Sequence, residues 1–180
     1  MIIFTGVAGS GKSLQGKKLA DSLGLPWIST GEFLRMLVSG EPRKAMVQGK
    51  LLGDKEIIAM VQKILSLIDV RDEFVMDGFP RTQQQGDWLL NQVKHGQLSV
   101  TAIINLKADQ SSVKQRLLKR GRPDDNENAI KSRFEEYERS ILPLLEDFHQ
   151  HGVKVIDIDA TQNVEKVQLD ITNSVKALLG

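Results

Sequence analysis

The sequence contains no cysteine in its 180 residues, which excludes disulfides, thiol chemistry and a thiolate zinc site and suits a reducing compartment. It has no surplus of one charge either: 24 Lys and Arg stand against 23 Asp and Glu, for a net +1. Bulk electrostatics therefore makes no case for a nucleic-acid or anionic-membrane partner. No apolar run approaches the roughly 18 residues of a membrane-spanning helix. The apolar opening, Met1 to Phe4, has no basic residue and meets Gly6 too soon to read as a signal peptide. Internal repeats, low-complexity tracts and long linkers are also missing. What is there is an ordinary globular composition, 41% hydrophobic and 26% charged. A chain this long buries roughly 70% of its unfolded surface on folding, enough for a full core. The expectation is one cytoplasmic domain and a monomer.

Short apolar runs alternate with longer helical stretches. Ile2-Ile3-Phe4-Thr5 reads as a buried strand and Lys12 to Leu23 as the helix that follows. Phe74 to Asp77, Val100 to Leu106 and Val153 to Ile158 read as further strands, with Pro26-Trp27-Ile28 a weaker one. Helices are expected from about Thr82 to Val93, Gln110 to Lys119 and Val164 to Leu179. Continuous apolar strands interleaved with helices imply α/β architecture, a mostly parallel sheet covered on both faces. Thr30 to Ile68 departs from the alternation: it is largely helical, with breaks around Gly40-Glu41-Pro42 and Gly53. Gly121-Arg122-Pro123 separates two helices, the second beginning after a capping-box pattern from Asp124 to Glu127. Its stripe of Ile130, Phe134, Tyr137, Ile141, Leu145 and Phe148 should face the core, and Pro143 inside the stripe predicts a kink.

The strongest local signal is Gly6-Val7-Ala8-Gly9-Ser10-Gly11-Lys12-Ser13, a G-x-x-x-x-G-K-S sequence between a strand and a helix. The glycines let successive N–H groups turn inward onto phosphate oxygens, and the helix N-terminus adds partial positive charge. Lys12 is suited to the β- and γ-phosphates, and the Ser13 hydroxyl to Mg²⁺. Guanine-switch features are missing: Asn105-Leu106-Lys107-Ala108-Asp109 has one residue too many for N-K-x-D, and Gly78 follows Asp77 directly.

Taken with Ser29-Thr30-Gly31-Glu32-Phe33-Leu34-Arg35, Asp77-Gly78-Phe79-Pro80-Arg81-Thr82, Gln85, and Gly121-Arg122-Pro123-Asp124-Asp125 with Arg133, the chain resembles the adenylate kinases. The resemblance runs from residue 2 to about 165. It implies a three-layer P-loop fold on a five-stranded parallel sheet. A helical insertion at about 30–60 would hold a nucleoside monophosphate, and a minimal lid at about 120–126 would close over ATP. It implies Mg²⁺ with ATP as substrate, no zinc, and transfer of a phosphoryl group from ATP to AMP. By the same resemblance Gly9, Ser10, Gly11, Lys12, Ser13, Arg116, Arg120 and the Gln162 carbonyl serve ATP. Thr30, Gly31, Arg35, Gly78, Arg81 and Gln85 serve AMP, with Thr30 and Gln85 at its base. Lys12, Arg81, Arg122 and Arg133 would act on the transferring phosphoryl group, and Asp124 and Asp125 would anchor the lid arginines. Asp77 would hold Mg²⁺ through water.

Each residue also has a plainer reading. Arg116, Lys119, Arg120 and Arg122 can form a solvated basic helix end, and Asp124 a simple helix cap. His149 and His151 straddle a helix end without further ligands at useful spacing and read as surface residues. Trp27 and Trp88 read as packing. The acceptor alternatives are UMP and CMP, and the alternative class is a nucleotide-binding regulator without turnover. The sequence departs from the family pattern at Glu32, where Asp is usual, at Lys55 after Asp54, at Ala160, and in a shortened stretch between Arg35 and Asp54. The largest departure is the single residue, Gly121, between Arg120 and Arg122. So short a lid implies looser donor selectivity and weaker exclusion of water.

Overall fold

The computed structural model describes residues 1–37, 39–41, 44, 53–122 and 125–179. Five strands, β1 (Ile2–Gly6), β2 (Trp27–Ser29), β3 (Val75–Asp77), β4 (Ala102–Lys107) and β5 (Val155–Asp159), form one parallel sheet in the order β2-β3-β1-β4-β5. Central β1 pairs Ile2 with Val75 on one side and with Ala102 on the other. Val100 and Val153 fall outside the strands predicted for them, which begin two residues later. The chain leaves β1 for one edge of the sheet and leaves β4 for the other. Loops at these carboxyl ends therefore diverge and open a crevice, the place where ligands bind in sheets of this kind.

The pleat sorts the strand residues onto two faces. Ile3, Met76, Ile103 and Ile28 pack on one face with α3 (Asp54–Leu65), α4 (Gln83–Lys94) and α7 (Leu142–Gln150). Ile2, Phe4, Val75, Ile104 and Leu106 pack on the other with α1 (Lys12–Leu23) and α8 (Val164–Leu179). The remaining helices, α2 (Thr30–Leu37), α5 (Gln110–Arg120) and α6 (Glu127–Glu136), flank the crevice end of the sheet. Of the predicted breaks, the one around Gly40 falls at Ser39, with Gly40 and Glu41 already helical, and Gly53 is the extended N-cap of α3; Pro42 lies outside the described residues.

Helix ends follow local chemistry. Thr82 caps α4 by accepting from the Gln85 N–H, and Asp109 caps α5 by accepting from the Ser112 N–H. The cap of α6 differs from the expectation. Asn126 accepts from the Ala129 N–H at 3.0 Å and is the cap, while Asp124 lies outside the described residues. The Asp125 carboxyl group is spent on arginines, which leaves the next polar side chain to cap. Nor is Pro143 the site of a simple kink. It opens α7, and the preceding turn, Tyr137–Ile141, is a π-helix in which the Leu142 N–H donates to the Tyr137 carbonyl. Proline has no N–H and its ring crowds the carbonyl four residues back, so the helix widens by one residue just before it.

Candidate active site

The loop between β1 and α1 walls one end of a cavity of about 400 Å³. Gly11, the N-cap of α1, has φ of 99° and no side chain to spend on the first-turn N–H groups, which stay open for an anion. Lys12 Nζ donates to the carbonyls of Gly6 at 2.8 Å and Val7 at 2.9 Å, so the ammonium lies within the loop. Burial lowers its pKa to about 8; Asp77 opposes the shift, and Arg81, Arg120 and Arg133 add to it. Ser13 Oγ donates to Asp77 Oδ2 at 2.5 Å, and Ser29 Oγ donates to the same oxygen at 3.1 Å. Asp77 itself is only 3% exposed, at the end of β3 beside β1. Gly9 also lines the cavity, while Ser10 is buried behind it with a hydroxyl that has no hydrogen-bond partner among the described residues.

Beyond β3 the chain packs too tightly for a side chain at Gly78. Its φ is 84°, and a Cβ there would lie 2.8 Å from both Arg81 Nη2 and Thr30 Oγ1. The buried Thr30 hydroxyl donates to the Gly78 carbonyl at 2.9 Å, and Arg81 Nε donates to the same carbonyl at 2.8 Å. Burial lowers the Arg81 pKa, with Asp77 and Glu136 opposing. Gln85 is buried and engaged at both ends. Its Oε1 accepts from the Arg81 N–H at 2.9 Å, and its Nε2 donates to Asp54 Oδ1 at 2.7 Å. As placed, Gln85 braces Arg81 and the start of α3, instead of offering a free amide to a base. Across the cavity, beside Gly31, Arg35 Nη2 donates to Glu32 Oε1 at 2.7 Å. That hydrogen bond is the main cause holding the Glu32 carboxyl below its ordinary pKa.

A third wall comes from α5, α6 and their junction. Arg120 reaches buried Asp125 with two bonds, Nε to Oδ2 at 2.7 Å and Nη2 to Oδ1 at 2.6 Å, the fork geometry that suits guanidinium and carboxylate. The Arg122 N–H also donates to Asp125 at 3.2 Å, and Arg133 Nη1 lies 3.8 Å from it. The Arg122 side chain crosses the cleft to Glu32 Oε1 at 3.1 Å. Arg116 is turned to the loop after β5, donating to the carbonyls of Ala160 at 2.7 Å and Thr161 at 3.1 Å. The Gln162 side chain donates to the Asp159 carbonyl and lies outside the cavity lining. Lys12, Arg35, Arg81, Arg120, Arg122 and Arg133 thus face one cavity from four separate stretches of chain.

Comparison with known proteins places the chain in a family. The model of the adenylate kinase family matches residues 4–153. The chain belongs to the adenylate kinase family. It is 35% identical to an adenylate kinase of Corynebacterium urealyticum over 92% of this chain and 93% of that one. It is 34% identical to adenylate kinase 1 of Synechocystis over 97% and 96%, and 32% identical to an adenylate kinase of Leptospira biflexa over 97% and 98%. The matched range takes in the phosphate loop, the Asp77–Thr82 block and the arginines of α5 and α6, and it ends before Gln162.

In this adenylate kinase family member the cavity is also lined by residues that motif reading passed over. Glu136 faces Arg81, Arg139 and Arg133, and burial raises its carboxyl pKa against their pull. Tyr137 packs against the core, as its spacing predicts, and also lines the cavity and donates to Asn105. A polar residue in the otherwise apolar run from Ala102 to Leu106 was the signal available for Asn105. His149 and His151 are both exposed, as expected of surface residues. Trp88 packs edge-on against Phe79 with ring centres 5.7 Å apart. Among the described residues no helix is long and apolar enough to cross a membrane.

Proposed function

We propose that the protein catalyses reversible transfer of the γ-phosphoryl group of ATP to AMP, giving two ADP. The observation that carries this reading is the meeting of Lys12 with Arg35, Arg81, Arg120, Arg122 and Arg133 around one cavity whose far wall is α2. Lys12 and the first-turn N–H groups of α1 would hold the donor phosphates, and Arg35 and Arg81 the acceptor phosphate through bidentate contacts. Arg120, Arg122 and Arg133 would neutralise charge on the group in transit. No general base is required, because the second pKa of a phosphate monoester is about 6 and the acceptor oxygen is already ionised. Catalysis then rests on alignment, charge neutralisation and exclusion of water.

The Ser13 hydroxyl and the Asp77 carboxylate form a pair of hard oxygen donors at the mouth of the phosphate loop, which fits Mg²⁺ arriving with ATP. Ser13 and, through water, Asp77 would hold that ion, which would supply positive charge against the donor phosphates. Segments about 30–60 and 120–126 would be the acceptor insertion and the lid. A cytoplasmic location is in keeping with the absence of cysteine, and the proposed working form is a monomer.

The test is an acceptor panel of AMP, CMP, UMP, GMP and dAMP with ATP and Mg²⁺, following nucleoside diphosphate formation. AMP is expected to be the preferred acceptor, with activity lost in EDTA. ADP formed no faster than in a protein-free control would favour a nucleotide-binding regulator. Preference for CMP or UMP would move the protein to the pyrimidine kinases, and the internal engagement of Gln85 makes that arm worth including.

A further inference from the structure

Strand β4 has one buried polar side chain, Asn105, which lies between Ile104 and Leu106 and is 2% exposed. Both ends of its amide are engaged. Asn105 Nδ2 donates to Asp157 Oδ1 on β5 at 2.8 Å, and Oδ1 accepts from the Tyr137 hydroxyl at 2.9 Å. An ionised carboxylate can only accept, so the amide must turn Nδ2 toward Asp157 and keep Oδ1 for the phenol. Lys107 Nζ holds the second oxygen of Asp157 at 3.2 Å. A buried amide costs free energy unless fully satisfied, and an aliphatic residue would fill β4 without that demand. Packing alone gives no reason for this chain of bonds.

Tyr137 stands where the helical ladder changes. Its carbonyl accepts from the Leu142 N–H in the π turn, and its hydroxyl is seated on the sheet. Arg133 lies four residues earlier, on the same helix face. Both line the cavity, and Asp125 approaches Arg133 from the lid side at 3.8 Å. We infer that Tyr137 is a positioning residue for Arg133, with its hydroxyl on Asn105 fixing the end of α6 against the sheet so that the guanidinium meets the transferring group. The inference rests on the role given to Arg133 under the proposed function. A helix that widens to accommodate Pro143 has lost its regular register, and a side-chain anchor at the first residue of the wide turn restores a fixed reference. The Tyr137 phenol is a proton donor at neutral pH, and burial raises its pKa further. Such a fixed reference matters because misplacing a reacting group by about 1 Å can cost about 10²-fold in rate.

The test is Tyr137→Phe, which removes only the hydroxyl, made in the native protein and in an Arg133→Ala background. In the native background kcat is expected to fall about five- to tenfold, the scale of one lost hydrogen bond, with KM for AMP within about twofold and an unchanged fold by circular dichroism. In the Arg133→Ala background the same substitution is expected to have little further effect, because the residue through which it acts is gone. Asn105→Leu removes the seat while keeping the strand apolar, and it supplies the same comparison if Tyr137→Phe folds poorly. Undiminished kcat, or an equal factor in both backgrounds, would overturn the inference. Absence of turnover in the native protein, or an Arg133→Ala variant with native kcat, would instead strike the proposed function.

Discussion

Lys12 shows how one residue's surroundings become measurable. Its ammonium sits among loop carbonyls and near three arginines, and its pKa falls from 10.5 to about 8. A lysine with a lowered native pKa binds fewer protons in the folded chain than in the unfolded one. Its charge therefore burdens the fold below about pH 8, and stability rises with pH between the folded and unfolded values. Bound phosphate reverses the shift by placing negative charge beside the ammonium. At about pH 9, ATP binding should then take up a proton, which calorimetry in buffers of different ionisation enthalpy can count. Lys12→Met should abolish that uptake, and equal uptake by both proteins would assign the proton to another group. The phosphate-loop residues could be read from sequence because backbone geometry and a single lysine define them. Gln85 could not be read to the same depth: its type is visible, but its commitment to Arg81 and Asp54 depends on how α3 and α4 meet.

At the scale of elements, the junction of α5 and α6 is organised around one carboxylate. Asp125, whose side chain is 1% exposed, joins the end of one helix to the start of the next through Arg120, the Arg122 N–H and Arg133. Asp125→Ala would leave three donors without their shared acceptor. The expected loss is about 1–3 kcal/mol, less than for a fully buried pair because the Arg120 side chain is 36% exposed. Chemical denaturation measures that loss, and kcat should fall with it; native stability would mean that the arginines find other partners. Helix limits were largely legible here, and the observed span of α8 matches the expected Val164 to Leu179. Cap identity was not: the expected Asp124 lies outside the described residues, and Asn126 caps α6 beside an Asp125 that Arg120 claims. Pro143 announced a disturbance, but which turn absorbs it depends on the anchor at Tyr137.

For the molecule as a whole, the α5–α6 junction, proposed above as a short lid, bears on how well water is kept out. One residue between Arg120 and Arg122 leaves little chain to cover a triphosphate, yet Arg122 reaches across the cleft to Glu32. The ion pair would do part of the closing that a longer lid does. ATP hydrolysis without an acceptor is therefore expected to be measurable in the native protein and several-fold faster in Glu32→Gln. Grafting in an ordinary short lid should suppress it and tighten selection of ATP over GTP. No leak in either protein would show that other segments seal the site.

The sheet order has a consequence for synthesis. Strand β1 is flanked by β3 and β4, so Ile2 waits for Val75 on one side and for Ala102 on the other. The phosphate loop hangs from this strand and cannot be held in place until both neighbours have left the ribosome. A chain stalled or cut before Ala102 presents Ile2-Ile3-Phe4 with an open edge, a template for pairing with another copy. Fragments of that length should partition into aggregates while the full chain stays in solution.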